Sequence, residues 1–94
     1  MKAWNKTSLT DLEIADGTNV DRVTAQFYNA DTSDVEVTIK VTDNAGGVSG
    51  AKIIKKFTLA AEESGHYHIN QLEANDTVTV TTGDNPNLNI VTWN

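Results

Sequence analysis

The sequence predicts an all-β fold: a single seven-stranded antiparallel β-sandwich, immunoglobulin-like, with Greek-key connections. Apolar and polar residues alternate with a period of two in several short segments, and only a strand places successive side chains on opposite faces. Turn signals separate these segments roughly every eight to twelve residues, which is typical of a sandwich or small barrel. A small β-barrel and a jelly roll are the alternatives. A chain of 94 residues is the size of one domain.

The predicted strands follow one another with short turns between them. The first is an irregular strand near Lys6 to Ile14, which the turn signal Asp16-Gly17 ends. Thirteen threonines and ten asparagines support the same fold, because threonine favours strands and asparagine favours turns. The seven strands are expected at about 6–14, 20–28, 34–42, 51–59, 65–72, 76–82 and 87–93.

The alternation also predicts which side chains face the core. The clearest examples are the second, third and sixth strands, where one residue of register slip would exchange buried and exposed faces. Ile54, Val91 and Trp93 fall on the opposite sides of their strands. The inward positions are Val23, Ala25, Phe27, Val35, Val37, Ile39, Val41, Ile53, Phe57, Leu59, Tyr67, Ile69, Val78, Val80, Leu88 and Ile90.

Charge and cysteine content exclude several classes of partner and site. The net charge is −6, with 13 acidic and 7 basic residues, which argues against a nucleic-acid partner because such binders need basic surfaces. The absence of cysteine excludes disulfides and thiolate metal sites. The first residues lack an apolar stretch, so we expect no signal peptide and no membrane span.

Metal binding has two weak candidates. His66 and His68 lie two apart on a strand and share a face, but a zinc site needs further ligands and none is close in sequence. Aspartates in turns offer oxygen ligands, yet the calcium-loop pattern is absent and ordinary Asx turns account for them. We therefore expect no metal and no cofactor. The aspartates concerned are Asp31, Asp34, Asp43 and Asp84.

Catalysis has little support in the sequence. No nucleophile elbow, phosphate-binding glycine loop or histidine-pair helix is present. Glu62 and Glu63 are adjacent, so their carboxylates do not converge on one bond, and an exposed turn explains them. We expect a protein that is not an enzyme and has no catalytic residues.

Aromatic residues suggest a binding alternative. Trp4 and Trp93 either seal an open end of the core or form a stacking platform for a sugar ring. A carbohydrate- or cell-surface-binding module would use Trp4, Trp93, Tyr67 or the loop from Asp43 to Gly50.

Four segments in a fixed order carry a resemblance to a known group. They are "VTAQFYNADTSDVEVTIKVTDNAGG", "IIKKFTLAAEES", "QLEANDTVTV" and "NLNIVTW", and together they cover about residues 17–93. The Asn after the second strand, the "LAAEES" turn and the "L-x-A-x-D" before the sixth strand occur together. In these features the chain resembles small structural proteins of tailed-phage virions.

The resemblance implies a non-enzymatic role on a virion. The expected function is capsid decoration or cement, in which the protein binds across subunits of the major capsid protein and could form a homotrimer. A tail, neck or fibre accessory protein is the alternative within the same class. The expected location is the virion, after synthesis in the host cytoplasm.

The resemblance divides the chain and suggests an interface. Residues 1–16 do not match and could form a docking arm, whereas residues 17–94 form the sandwich. The interface candidates are Trp4, Ile54, Val91 and Trp93.

Overall fold

The computed structural model describes residues 2–6, 11–44, 51–83 and 87–94, with the backbone alone described for 2–6. These residues contain eight strands, and every strand pair is antiparallel. They include no helix long and apolar enough to cross a membrane. The strands are β1 (Lys2–Lys6), β2 (Leu12–Asp16), β3 (Val23–Asn29), β4 (Val35–Asp43), β5 (Ala51–Leu59), β6 (Ser64–Ile69), β7 (Asp76–Thr82) and β8 (Leu88–Trp93).

The strands form two four-stranded sheets, and the predicted antiparallel β-sandwich is confirmed. One sheet has the order β1-β8-β3-β6 and the other has the order β2-β7-β4-β5. Among the described strands, only β4 and β5 are both consecutive in the chain and adjacent in one sheet. This is the strand order of a jelly roll, an eight-stranded double sheet with two Greek keys.

The jelly roll was the alternative to the immunoglobulin-like arrangement. It differs from that arrangement in the order of the strands and in having one strand more, which residues 1–16 supply. One irregular strand was expected near Lys6 to Ile14, whereas the structure has two strands. β1 pairs with β8 and β2 pairs with β7, so each sheet gains an edge strand from this segment. The described part of the segment therefore belongs to the sandwich.

The core lies between the sheets and follows the predicted alternation in most strands. The rings of Phe27 and Phe57 meet edge to face at a centroid distance of 5.7 Å. Tyr67 and Ile69 are partly buried and pack against the core, as their inward positions predicted. The buried hydrophobic residues are Ile14, Ala15, Val23, Ala25, Phe27, Val35, Val37, Ile39, Leu59, Leu72, Val78, Val80, Leu88 and Ile90.

Ile53 was predicted to face the core, and this prediction is wrong. The pairing of β4 with β5 shifts by one residue between Ile39 and Lys40, so that Lys55 pairs with Ile39 but Ile53 pairs with Lys40. The extra residue opposite this step is Ile54. A bulge of this kind reverses the facing of the residues on one side of it relative to those on the other. Ile53, which precedes the bulge, consequently has 59% of its surface exposed.

Asn29 is a buried polar residue that joins two turns. It continues the inward series of β3 and is 0% exposed. Its side-chain nitrogen donates hydrogen bonds to the carbonyls of Ser33 (2.9 Å), Leu59 (3.0 Å) and Ala60 (3.1 Å). Its side-chain oxygen accepts one from the Asp31 amide at 2.9 Å. The turn after β3 and the turn after β5 are therefore connected through one side chain.

The backbone of Asn29 strengthens the same connection. Its amide donates to the carbonyl of Glu63 at 2.9 Å, and its carbonyl accepts from the amide of Glu62 at 2.8 Å. Glu62 has a positive φ of 62°, and the Glu63 carboxylate accepts a hydrogen bond from the Ala60 amide at 3.0 Å. The two glutamates thus form part of a turn, as the sequence predicted.

Candidate functional site

The solvent side of the β1-β8-β3-β6 sheet, here called the outer face, carries the exposed aromatic and polar side chains of three strands. Antiparallel pairing places directly opposed residues on the same face, so the side chains form rows across β6, β3 and β8. The rows, in that strand order, are His68–Thr24–Trp93, His66–Gln26–Val91 and Ser64–Tyr28–Asn89.

Two aromatic residues of the outer face are exposed to solvent. Trp93 has 40% of its surface exposed and Tyr28 has 39%. Their rows are four residues apart along β3, which corresponds to roughly 13 Å at the usual rise of a strand. This separation matches the scale of an extended oligomeric ligand better than that of a single small ring.

His68 is held in a defined orientation in the same row as Trp93, on the opposite side of β3. Its Nδ1 lies 2.6 Å from the hydroxyl of Thr24, and its Nε2 lies 2.8 Å from Oδ1 of Asn70. A carboxamide oxygen only accepts, so Nε2 carries a proton, and in the neutral ring Nδ1 accepts from Thr24. With both nitrogens engaged, His68 orders one end of the outer face instead of offering a free lone pair to a metal.

A cleft of about 160 Å³ opens beside Trp93 at one end of the sandwich. It lies between β2, the connection from β2 to β3, and the end of β8. Apolar residues, among them Ile14 and Val23, form part of its lining, together with the acidic residues Glu13 and Asp16. Trp93 contributes both to this cleft and to the outer face, so the two form one continuous candidate site.

The described residues contain no cluster of three or more histidine, cysteine or acidic side chains suited to a metal ion. Asp31, a calcium candidate in the sequence, uses its carboxylate within the fold. One of its oxygens accepts a hydrogen bond from the Thr32 amide at 2.7 Å and the other from the Asn87 amide at 3.3 Å. Asp84 lies outside the described residues.

Asp11, next to the opposite sheet, contacts one hydroxyl and one ammonium group of that sheet. The Thr81 hydroxyl donates to its carboxylate at 2.9 Å, and the ammonium of Lys40 lies 3.4 Å away. The Thr81 hydrogen bond, followed by the hydrogen bond and the charge of Lys40, lowers the pKa of Asp11. These residues brace β2, β4 and β7 and are not part of the cleft.

The four interface candidates do not share one surface. Val91 and Trp93 lie on the outer face in β8, whereas Ile54, with 38% of its surface exposed, lies in β5 of the other sheet. Trp4 lies in β1 and pairs with Ile90, and its side chain is outside the described part of the structure.

Of the proposed sugar-binding residues, Trp93 alone lies at the described candidate site. Tyr67 packs against the core instead, and most of the loop from Asp43 to Gly50 is outside the described residues.

Sequence reasoning missed Tyr28 and Gln26. A signal was present, because both continue the outward series that begins at Thr24, but their closeness to Trp93 depends on strand pairing.

Comparison with known proteins supports the fold. No protein-family model matches the sequence, and a search of curated proteins gave no significant match. The Anabaena sensory rhodopsin transducer is similar in structure, with a TM-score of 0.56 and 13% identity over 98% of this chain and 81% of that chain.

A second similar structure contains a carbohydrate-binding module. It is that of the CBM22-1 and GH10 modules of endo-1,4-β-D-xylanase 10B from Clostridium thermocellum, complexed with xylohexaose. The TM-score is 0.54 and the identity 13%, over 96% of this chain and 18% of that chain. At such identities the likeness shows a shared β-sandwich fold and transfers no function.

Proposed function

We propose that this chain is a non-catalytic module that binds a neutral oligosaccharide on the outer face and in the adjoining cleft. The observation that carries the proposal is the position of Trp93, which is exposed on the outer face and also lines the cleft. Saccharides present apolar ring faces that stack on aromatic side chains and hydroxyl groups that need hydrogen-bond partners.

The polar groups around Trp93 suit hydroxyl recognition. His68 and Thr24 share its row, and Gln26 and His66 form the next row. Thr24, Gln26 and His66 can each form a hydrogen bond with a ligand, and the contact with His68 already orients the hydroxyl of Thr24. Groups held in place before binding lose less conformational entropy when the ligand arrives.

Charge favours a neutral ligand over an acidic one. Glu13 and Asp16 line the cleft, and the whole chain has a net charge of −6. A uronic or sialic acid would therefore bring a carboxylate next to carboxylates and be repelled. The ligand named for the similar xylanase structure, xylohexaose, is a neutral oligosaccharide and is the first to test.

The test is calorimetric titration with xylohexaose and other neutral hexasaccharides, with a uronic-acid hexasaccharide for comparison. We expect Trp93→Ala to weaken binding about tenfold or more, because it removes the stacking surface. Ile54→Ala is the matched control, since Ile54 is similarly exposed on the other sheet. No binding of any neutral oligosaccharide, or equal binding by both variants, would reject the proposal.

A second candidate is the virion structural role that the sequence resemblance implies, as a capsid decoration or cement protein or a tail accessory. Two features that carry the resemblance are joined by hydrogen bonds, because Asn29 at the end of β3 bonds to the "LAAEES" turn. Jelly rolls also occur in both viral capsid and lectin domains. Immunogold labelling of purified particles tests this candidate, and the absence of label from every particle would remove it.

A further inference from the structure

The first six residues of β5, Ala51–Lys56, here called the β5 strip, are all exposed. β5 is an edge strand, because it stands last in the order β2-β7-β4-β5. The strip carries Lys52, Lys55 and Lys56 and no acidic residue, although the chain as a whole has a net charge of −6. It is thus a basic edge on an acidic protein.

Two of the three lysines have no acidic partner in the described structure. Lys56 forms an exposed ion pair with Glu36 at 3.6 Å. Neither Lys52 nor Lys55 forms an ion pair with another described residue. Lysines on an edge strand are a known protection against unwanted strand pairing.

Edge protection explains the lysines but not the isoleucines between them. Ile53 and Ile54 have 59% and 38% of their surfaces exposed. The bulge in β5 turns Ile53 to the solvent side of the sheet, where it pairs with Lys40. Apolar side chains on an unpaired edge gain stability when a further strand covers them.

We propose that the β5 strip is a docking edge for an extended acidic segment of a partner protein, which adds to the sheet as a further strand. Lys56 pairs with Thr38 on the solvent side, and Lys52 and Lys55 pair with Val41 and Ile39 on the other. Because side chains of an added strand alternate between faces, acidic residues on either face would meet a lysine.

Repulsion between lysines argues against a second copy of the chain as the occupant, bound by symmetric β5–β5 pairing. Such pairing would bring two sets of three lysines together, and like charges across a strand pair are destabilising. The proposal is also independent of saccharide binding, because the β5 strip and the outer face belong to different sheets.

The test is a titration of isotope-labelled protein, followed by backbone amide NMR shifts. The probe is an eight-residue blocked peptide in which glutamate alternates with valine, and the control peptide has lysine in place of glutamate. We expect the acidic peptide to shift the amides of residues 51–56, with an effect that falls at high salt. The basic peptide should leave them unchanged.

Charge reversal gives the matched variant. Lys52→Glu combined with Lys55→Glu should weaken binding of the acidic peptide about tenfold and create binding of the basic peptide. Ile53→Thr should also weaken binding of the acidic peptide without changing its charge dependence. Urea unfolding of each variant confirms that the fold is intact.

Three results of the titration would overturn the proposal. They are no shift with the acidic peptide, equal shifts with both peptides, and shifts confined to the outer face. A concentration-dependent dimer in sedimentation that disappears in the charge-reversal variant would also overturn it, because the occupant would then be a second copy of this chain.

Discussion

Replacement of Asn29 by alanine should cost more stability than any surface change. The substitution removes a donor from the carbonyls of Ser33, Leu59 and Ala60 and an acceptor from the amide of Asp31. A buried polar group left without a partner costs about 1–3 kcal/mol. The Leu59 contact is buried and the others are part-buried, so we expect a total loss of about 3–5 kcal/mol.

Urea unfolding followed by tryptophan fluorescence measures this loss. Asn19→Ala is the control, because Asn19 is exposed and surface substitutions usually stay within about 0.5 kcal/mol. If Asn29→Ala changed the unfolding free energy by less than about 1 kcal/mol, the two turns would not depend on this side chain, and the reasoning would fail.

Asn29→Asp tests the same hydrogen bonds through the dependence of stability on pH. The new carboxylate would face the carbonyl oxygens of Ser33, Leu59 and Ala60, so the pKa of this carboxyl should rise in the folded state. Its contribution to stability is then fully present below the unfolded pKa of about 3.9 and is lost as pH rises through the higher folded value. Urea midpoints of Asn29→Asp relative to Asn29→Ala should therefore fall from pH 3.5 to pH 7, and a constant difference would contradict the assignment.

Two other predictions concern backbone packing and electrostatics. Gly17→Ala should destabilise the protein by roughly 2–4 kcal/mol, because an added Cβ would overlap the carbonyl oxygen of Glu73, whereas Gly83→Ala, with open space around its Cβ position, should be nearly neutral in the same thermal melts. Thr81→Val should raise the pKa of Asp11 in an NMR titration. Because the wild-type carboxyl has a lowered pKa, its contribution is present above the unfolded value and lost as pH falls through the folded one, so an unchanged Asp11 pKa in the variant would show that the hydroxyl is not its main partner.

The sequence predicted well wherever one face of a strand is buried. In β3, β4 and β7 the alternation of apolar and polar residues determines the register, because a slip would expose the core residues. These strands lie within three residues of their expected positions, and most of their inward side chains are buried.

The errors came from features that depend on a partner strand or on a single polar group. Ile53 follows the local pattern of β5 but is turned outward by a bulge that exists only in its pairing with β4. Asn29 sits at an inward position after Phe27, yet asparagine is usually read as a turn residue, so its burial was missed.

The candidate site was predictable only in part. Trp93 was named from its residue type, but its row with Thr24 and His68 joins residues far apart in the chain. Such contacts are set by the order of strands in the sheet. A single sequence predicts where the strands lie and which of their faces are buried. It does not predict which strands become neighbours in a sheet.

The connectivity of the jelly roll has a consequence for how the chain reaches its fold. Among the described strands only β4 and β5 can pair as a local hairpin, and every other pairing must first close a long loop. Folds dominated by such distant pairings form in milliseconds to seconds instead of microseconds. The β4–β5 hairpin is thus available early, with Ile53 and Ile54 exposed while the other strands are still unplaced. The lysines beside them would then keep neighbouring nascent chains apart during that interval.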